Sequence, residues 1–250
     1  MILLNNNRKP KGFIGLMVMV FLTTACLAQD KKAEVTFKKD KLIEVALLTI
    51  KPGKESQFSN DYFSKAWPIG QPYEPRMIGQ FAIQDKVGGN NPAQLLVFFE
   101  WGSLEQKRAF EKDLEFVKIV NIRNDALSFL TTGYFMVDQD VTYSLSPEGT
   151  YEFAALWLDP NEAHKLEQYF QAVLPLASDP KIQFQLITQL KSLGVEDKNY
   201  HPSLIFFSEW KAGMAGRSEL ARRTAFKENV HLREEASPYK DIFIVKPIIQ

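Results

Sequence analysis

The feature that most constrains the fold is an apolar segment that occurs twice in the chain. Leu95–Trp101 reads LLVFFEW and Leu204–Trp210 reads LIFFSEW, with the two tryptophans 109 residues apart. Only the exchange of Phe99 for Ser208 changes the character of a position. Runs this apolar predict strands that are buried on both faces. The chain is therefore interpreted as a tandem duplication, in which each of these strands has helices on one face and a second layer on the other.

Each copy is predicted to contain a strand, a helix, two strands, a second helix and a fourth strand. The prediction rests on apolar runs separated by helical apolar spacing and by turn residues. This order is that of the ferredoxin-like unit. The sequence therefore predicts an α+β protein in which residues 42–138 form the first repeat, residues 139–150 a polar connector and residues 151–250 the second repeat.

The second helix of the first copy has a recognisable start. Ser103 stands three residues before Gln106, which is the spacing of a capping box. Helical periodicity then places Phe110, Leu114 and Val117 on the inner face of this helix.

The N-terminal residues 1–28 predict an export signal, because basic residues precede the apolar run 13–22, which is too short to span a bilayer as a helix. The sequence allows two processing sites at the end of this segment. The residues before Cys26 resemble a bacterial lipobox, which would make Cys26 a lipid-modified first residue. Ordinary cleavage would instead release a soluble protein that begins at Gln29. The predicted location is periplasmic or lipid-anchored to the cell envelope, followed by a flexible linker at 29–41.

Composition excludes several partners. Lys plus Arg equals Asp plus Glu at 30 each, so the formal net charge is zero and no basic field favours nucleic acid. The single cysteine excludes an internal disulfide framework and a cysteine-rich metal site. No two of the three histidines have metal-ligand spacing, so no metal is predicted. Membrane contact is expected only through a lipid on Cys26.

The duplicated unit, with a doubly buried third strand ending in Glu-Trp and an amphipathic helix after it, resembles the dimeric α/β-barrel superfamily. Within that superfamily it looks similar to the antibiotic-biosynthesis-monooxygenase-like and NIPSNAP-like members. In that superfamily two four-stranded sheets pack face to face, usually one from each of two chains. Here the resemblance implies that one chain supplies both sheets. Members include cofactor-independent monooxygenases, haem-handling enzymes, isomerases and proteins of no known activity, so the fold does not select a function.

Haem-handling relatives carry a histidine on the helix after the repeated strand. The matching positions of this chain hold Phe110 in the first copy and either Glu219 or Phe226 in the second. None of these side chains is suited to axial ligation of haem. The resemblance therefore implies no haem, and no cofactor is predicted.

Five residues are candidates for ligand binding. Trp101 and Trp210 could border an aromatic pocket, although a strand-end tryptophan also commonly fills core. Arg123 and Arg233 recur in the two copies and offer a bidentate fork for a carboxylate, unless they pair on the surface. His231 is a candidate base or ligand because an unperturbed imidazole titrates at about 6.5, and the alternative is an ordinary helical histidine.

Two functional classes are open. The first is an exported protein with no recognisable catalytic set, which binds a small molecule or serves assembly. The second is a cofactor-independent monooxygenase or isomerase acting on a small aromatic or apolar substrate. An apolar cavity at either tryptophan would favour the enzyme, and two filled halves would favour the first class. Because the copies differ at Phe99 and Ser208, and at Asn121 and His231, at most one working site is expected.

Overall fold

The computed structural model describes residues 33–196 and 198–249. The predicted export segment and its Cys26 lie outside these residues, as does the start of the predicted linker. Over the described ranges, no helix is long and apolar enough to cross a membrane.

The first repeat has the predicted order of strands and helices. The chain enters with β1 (Ala33–Phe37), and the repeat then comprises β2 (Leu42–Ile50), a π-helical segment (Gln57–Phe63) that continues into α1 (Ser64–Gly70), β3 (Arg76–Gly88), β4 (Leu95–Trp101), α2 (Leu104–Lys112), α3 (Leu114–Ala126) and β5 (Leu127–Met136).

The second repeat follows the same plan. After β6 (Val141–Leu145), its elements are β7 (Tyr151–Trp157), α4 (His164–Val173), a 3₁₀ turn (Leu174–Leu176), β8 (Phe184–Ser192), β9 (Leu204–Trp210), α5 (Gly213–Arg222), α6 (Thr224–Ala236) and β10 (Tyr239–Pro247).

Eight of these strands form a closed antiparallel barrel in the order β10-β3-β4-β2-β5-β8-β9-β7. Within each repeat the order is that of a ferredoxin-like sheet, with the repeated apolar strand, β4 or β9, at an inner position. Pairing of β5 with β8 and of β10 with β3 joins the two sheets. The predicted α+β fold, an intrachain barrel of two ferredoxin-like units, is confirmed.

Aromatic rings fill the interior of the barrel. Phe98 of β4 and Phe207 of β9 are fully buried, with ring centres 5.4 Å apart, and Phe81 lies 5.1 Å from Phe207. Because successive strand residues point to opposite faces, the other face of each of these strands meets the helices. The interior of the barrel is thus the second buried face that the sequence requires.

The predicted linker at 29–41 is not flexible over its described part. Its residues 33–37 form β1, which pairs with β6 from the predicted connector at 139–150. Val35, Phe37 and Leu145 of this two-stranded ribbon are buried against the interior of the barrel. These segments are rich in charged residues, but their apolar residues alternate over a length sufficient for a short strand. The expectation of a flexible, solvated linker is therefore wrong over residues 33–37.

The glutamates of the repeated Glu-Trp motif hold this ribbon in place. Glu100 accepts hydrogen bonds from Arg76 at 3.1 and 2.6 Å, and Arg76 also donates to the Thr36 carbonyl at 2.6 Å. Glu209 accepts a hydrogen bond from the hydroxyl of Tyr143. The motif glutamates therefore have a structural role at one end of the barrel.

The predicted inner face of the second helix is partly wrong. Ser103 does cap the helix by accepting from the Gln106 amide, but Leu114 and Val117 are 77% and 49% exposed. The helix breaks at Asp113, whose carboxylate caps the new helix α3. The break changes the rotational phase of α3, so Phe116 packs inward instead.

Candidate functional site

In the first repeat, a buried ion pair lies between the sheet and the helices. Trp101 Nε1 donates to Glu44 Oε2 at 2.8 Å, and Lys107 Nζ lies 3.0 Å from the same oxygen. The ammonium of Lys107 is 4.3 Å from the centre of the Trp101 ring and 3.7 Å from Glu111 Oε1. Glu44 and Lys107 are each only 6% exposed, so each charge depends on its partners for stabilisation.

Aromatic rings occupy the rest of this layer in the first repeat. The ring centre of Phe110 is 5.1 Å from that of Trp101 and 4.2 Å from that of Phe116. Phe99, which stands opposite Glu44 in the pairing of β2 and β4, packs against the same cluster. The space beside Trp101 is therefore filled.

The second repeat has a cavity of about 300 Å³ in the equivalent place. Strands β7, β8 and β9 border it on one side, and helices α4, α5 and α6 on the other. Leu174 and Leu186 line the cavity and are also half-exposed, so it opens to solvent beside them. Most of its lining is apolar and includes Leu166, Val173, Phe184, Phe206, Leu220 and Phe226.

Two exchanges between the repeats account for this cavity. Ser208 of β9 stands opposite the strand glutamate where Phe99 stands in β4. Lys107 and Arg217, which pair with the strand glutamates, are 110 residues apart. The same separation places Leu220 of α5, rather than Glu219 or Phe226, at the position of Phe110 of α2. Each exchange removes one aromatic ring from the layer, and both Ser208 and Leu220 line the cavity.

The buried trio of tryptophan, glutamate and cation is retained in the second repeat, but it borders the cavity. Glu152 Oε2 accepts from Trp210 Nε1 at 3.3 Å and from Arg217 Nε at 2.7 Å. The side chains of Glu152 and Arg217 are 13% and 25% exposed. The equivalent pair of the first repeat is more deeply buried, so the second trio has become accessible to a ligand.

Tyr169 and Arg233 add a second polar group to the lining. The guanidinium carbon of Arg233 lies 5.5 Å from the centre of the Tyr169 ring. Burial raises the pKa of Tyr169, and this effect outweighs the opposing influence of Arg233. The phenol is consequently neutral near neutral pH, and its hydroxyl is able to donate a hydrogen bond to a ligand.

The five candidate ligand-binding residues lie in different environments. Trp210 and Arg233 line the cavity. Trp101 and Arg123 occupy the equivalent positions of the first repeat, where aromatic rings fill the layer. His231 is exposed on α6 and is not among the residues that line the cavity.

Sequence reasoning missed Glu152, Arg217 and Tyr169. A signal for the first two was present, since Glu44 and Glu152 recur as charged residues within strands that are otherwise apolar. Lys107 and Arg217 likewise preserve a positive charge at a separation of 110 residues. A charge that recurs in both copies of a buried layer indicates an internal ion pair.

The positions considered for haem ligation have other roles. Phe110 is packed in the filled layer, Phe226 lines the cavity, and Glu219 forms ion pairs with Arg222 and Arg223. Among the residues that the structure describes, no group of three or more His, Cys, Asp or Glu side chains could hold a metal ion.

The chain has the fold of the dimeric α/β-barrel superfamily, with both sheets supplied by one chain. An anthrone oxidase-like protein superposes with a TM-score of 0.55 at 15% identity, over 85% of this chain and 94% of that one. A candidate monooxygenase from Fusobacterium nucleatum gives 0.50 at 8% identity, over 84% and 93%.

A mutant chlorite dismutase from Candidatus Nitrospira defluvii gives a TM-score of 0.49 at 9% identity, over 84% of this chain and 93% of that one. At identities this low, the anthrone oxidase-like protein and the candidate monooxygenase show a shared fold alone. No protein-family model matches the sequence, and no curated protein matches it.

Proposed function

We propose that the second repeat binds one small, largely apolar molecule between its sheet and its helices, and that the first repeat is its structural counterpart. The observation that carries this proposal is the cavity of about 300 Å³ beside Trp210, in a layer that aromatic rings fill beside Trp101. Small-molecule sites typically occupy roughly 300–1,000 Å³ and combine apolar surfaces with a few placed polar groups. This cavity volume favours a ligand with a single ring or with two fused rings.

The direct test is to titrate the purified protein with small aromatic compounds and to monitor binding by tryptophan fluorescence. One saturable site per chain is expected. Trp210 lines the cavity, so Trp210→Phe should remove most of the fluorescence change. Trp101→Phe, the matched substitution in the first repeat, should leave the change in place.

Filling the cavity gives a second test with its own control. Leu220→Phe introduces the residue that the first repeat carries, and it should weaken binding by about tenfold or more because the ring occupies ligand space. Phe110→Leu is the reverse exchange in the first repeat and should leave affinity unchanged. Unchanged binding by folded Leu220→Phe protein would reject this location for the ligand.

A cofactor-independent monooxygenase or isomerase is the second candidate, favoured by the carboxylate of Glu152 in an apolar lining. Both hydrogen bonds to Glu152 from the described residues end on Oε2, which leaves Oε1 to accept a proton from a substrate carbon. The fold likeness to an anthrone oxidase-like protein supports an aromatic substrate for such an enzyme.

Deuterium exchange tests this second candidate. The protein should accelerate exchange of solvent deuterium into 2-tetralone, a small ketone that enolises readily, and Glu152→Gln should abolish the acceleration. Equal exchange with both proteins, or none above the buffer rate, would exclude Glu152 as a base for this class of substrate.

Export is also proposed, on the basic residues and short apolar run of the N-terminal segment. Mass spectrometry of the mature protein distinguishes the two endings. A diacylglyceryl mass on Cys26 supports a lipid anchor, and an unmodified start at Gln29 supports release as a soluble protein. Exported material that retains Met1 would refute both.

A further inference from the structure

The residues that line the cavity include two cations and one carboxylate. Arg217 and Arg233 contribute two positive charges, and Glu152 contributes one negative charge. An unmatched charge beside an apolar surface loses hydration without gaining a partner, which is unfavourable. A ligand that carries one negative charge would give these lining cations a further partner.

In the first repeat the cation equivalent to Arg217 has two carboxylate partners. Lys107 lies between two carboxylates, with Glu44 at 3.0 Å and Glu111 at 3.7 Å. Glu111 also accepts from Lys198 Nζ at 2.9 Å and from the Tyr134 hydroxyl at 3.0 Å. Burial raises the pKa of Glu111, but Lys107 and Lys198 more than offset this and hold the pKa below its usual value. Glu111 is thus an ionised partner of the buried cation.

The second repeat lacks this carboxylate. Arg217 lies 110 residues after Lys107, and the same separation places Ala221 at the position of Glu111. Ala221 is exposed at the edge of α5 and also lines the cavity. The place that the Glu111 carboxylate occupies in the first repeat is consequently open, next to the arginine and close to solvent.

The two arginines of the cavity keep hydrogen-bonding capacity for an anion. Arg217 engages Glu152 through Nε, and its terminal nitrogens donate to no acceptor within residues 33–196 and 198–249. Arg233 pairs with Glu234, but Glu234 also pairs with Lys240, so this one carboxylate is shared by two cations. A guanidinium binds a carboxylate by two parallel hydrogen bonds from one edge of its planar group, and the edge formed by the two terminal nitrogens of Arg217 is available for this.

We infer that the ligand of this cavity is a small aromatic monocarboxylate, whose carboxylate takes the place of the missing Glu111 carboxylate beside Arg217. Its rings lie in the apolar part of the cavity, and its charged end lies toward solvent at Ala221. The neutral hydroxyl of Tyr169 is a further donor in the same lining. This inference rests on the proposed binding function and adds the charge and the orientation of the ligand.

The first experiment compares two ligands of nearly equal shape by calorimetry at neutral pH. The wild-type protein should bind 2-naphthoate at least about tenfold more tightly than neutral 2-naphthamide, because only the acid offers Arg217 a charged acceptor. Equal affinities, or tighter binding of the amide, would overturn the inference while leaving the binding function standing. Binding of neither compound, nor of any aromatic in the panel, would reject the binding function itself.

The second experiment restores the missing carboxylate. In Ala221→Glu the protein supplies its own partner for Arg217, so the preference for 2-naphthoate over 2-naphthamide should fall to about equal affinity. Ala221→Gln has nearly the same size without the charge and should keep the preference. The ratio of the two affinities is the readout, since bulk at position 221 weakens both ligands together. A ratio that is the same in both variants would overturn the inference.

Discussion

The two repeats share a fold and an internal trio, yet one layer is filled and the other is hollow. In the first repeat, Phe99 and Phe110 complete the packing around Trp101. In the second, Ser208 and Leu220 stand at those positions, and a cavity of about 300 Å³ lies beside the matching tryptophan. A duplicated fold can therefore devote one copy to stability and leave the other free to bind, at the cost of two aromatic side chains.

The first repeat also provides more carboxylate partners for its buried cation than the second repeat does. The buried lysine of the first repeat has two carboxylate partners, Glu44 and Glu111. The arginine of the second repeat has Glu152, and Ala221 stands where a second carboxylate would be. The buried cation of the filled layer thus has one more carboxylate partner than the cation of the hollow layer.

The largest expected difference between the repeats is in packing. Phe110→Ala removes a buried ring that contacts three others, and it should lower the free energy of unfolding by about 3–5 kcal/mol. Leu220→Ala enlarges an existing cavity at a half-buried position and should cost less than about 2 kcal/mol. Urea denaturation of both variants checks this, and equal losses would contradict the contrast between a filled and a hollow layer.

Loss of the buried ion pair should also destabilise the first repeat more than the second. Lys107→Met leaves Glu44 without its cation in a desolvated place and should cost about 3 kcal/mol of unfolding free energy. Arg217→Met should cost roughly half as much, because Glu152 and its surroundings are more accessible to water. Lys107→Arg keeps the charge and serves as the control. A larger loss of unfolding free energy in Arg217→Met than in Lys107→Met would contradict the structural role assigned to the first repeat.

The order of elements and the intrachain barrel were predictable from sequence, because the doubly apolar strands leave few ways to bury both faces. The exchange of Phe99 for Ser208 was visible too. The cavity was not, since it also depends on Leu220, which meets Ser208 only across the layer of the folded repeat. The helix break at Asp113 was likewise not predictable, because the helical spacing of the apolar residues continues across it in the sequence.

A smaller effect concerns acid stability. The pKa of Glu111 is lowered in the folded protein, so its contribution is fully present above the unfolded value of about 4.3 and is lost as the pH falls through the lowered pKa. The stability difference between wild type and Glu111→Gln should therefore shrink as the pH falls below about 5. Denaturation series from pH 7 to the acid limit would measure it, and a difference independent of pH would show that Glu111 contributes only by packing.

The most direct measurement of the central claim is a crystal structure of the protein with bound 2-naphthoate. The rings should lie between the sheet and the helices of the second repeat, beside Trp210, with the carboxylate next to Arg217. No ligand should appear beside Trp101, where Phe110 already occupies the layer. Density for the ligand in the first repeat, or an unoccupied second repeat at saturating concentration, would contradict the division of roles between the two copies.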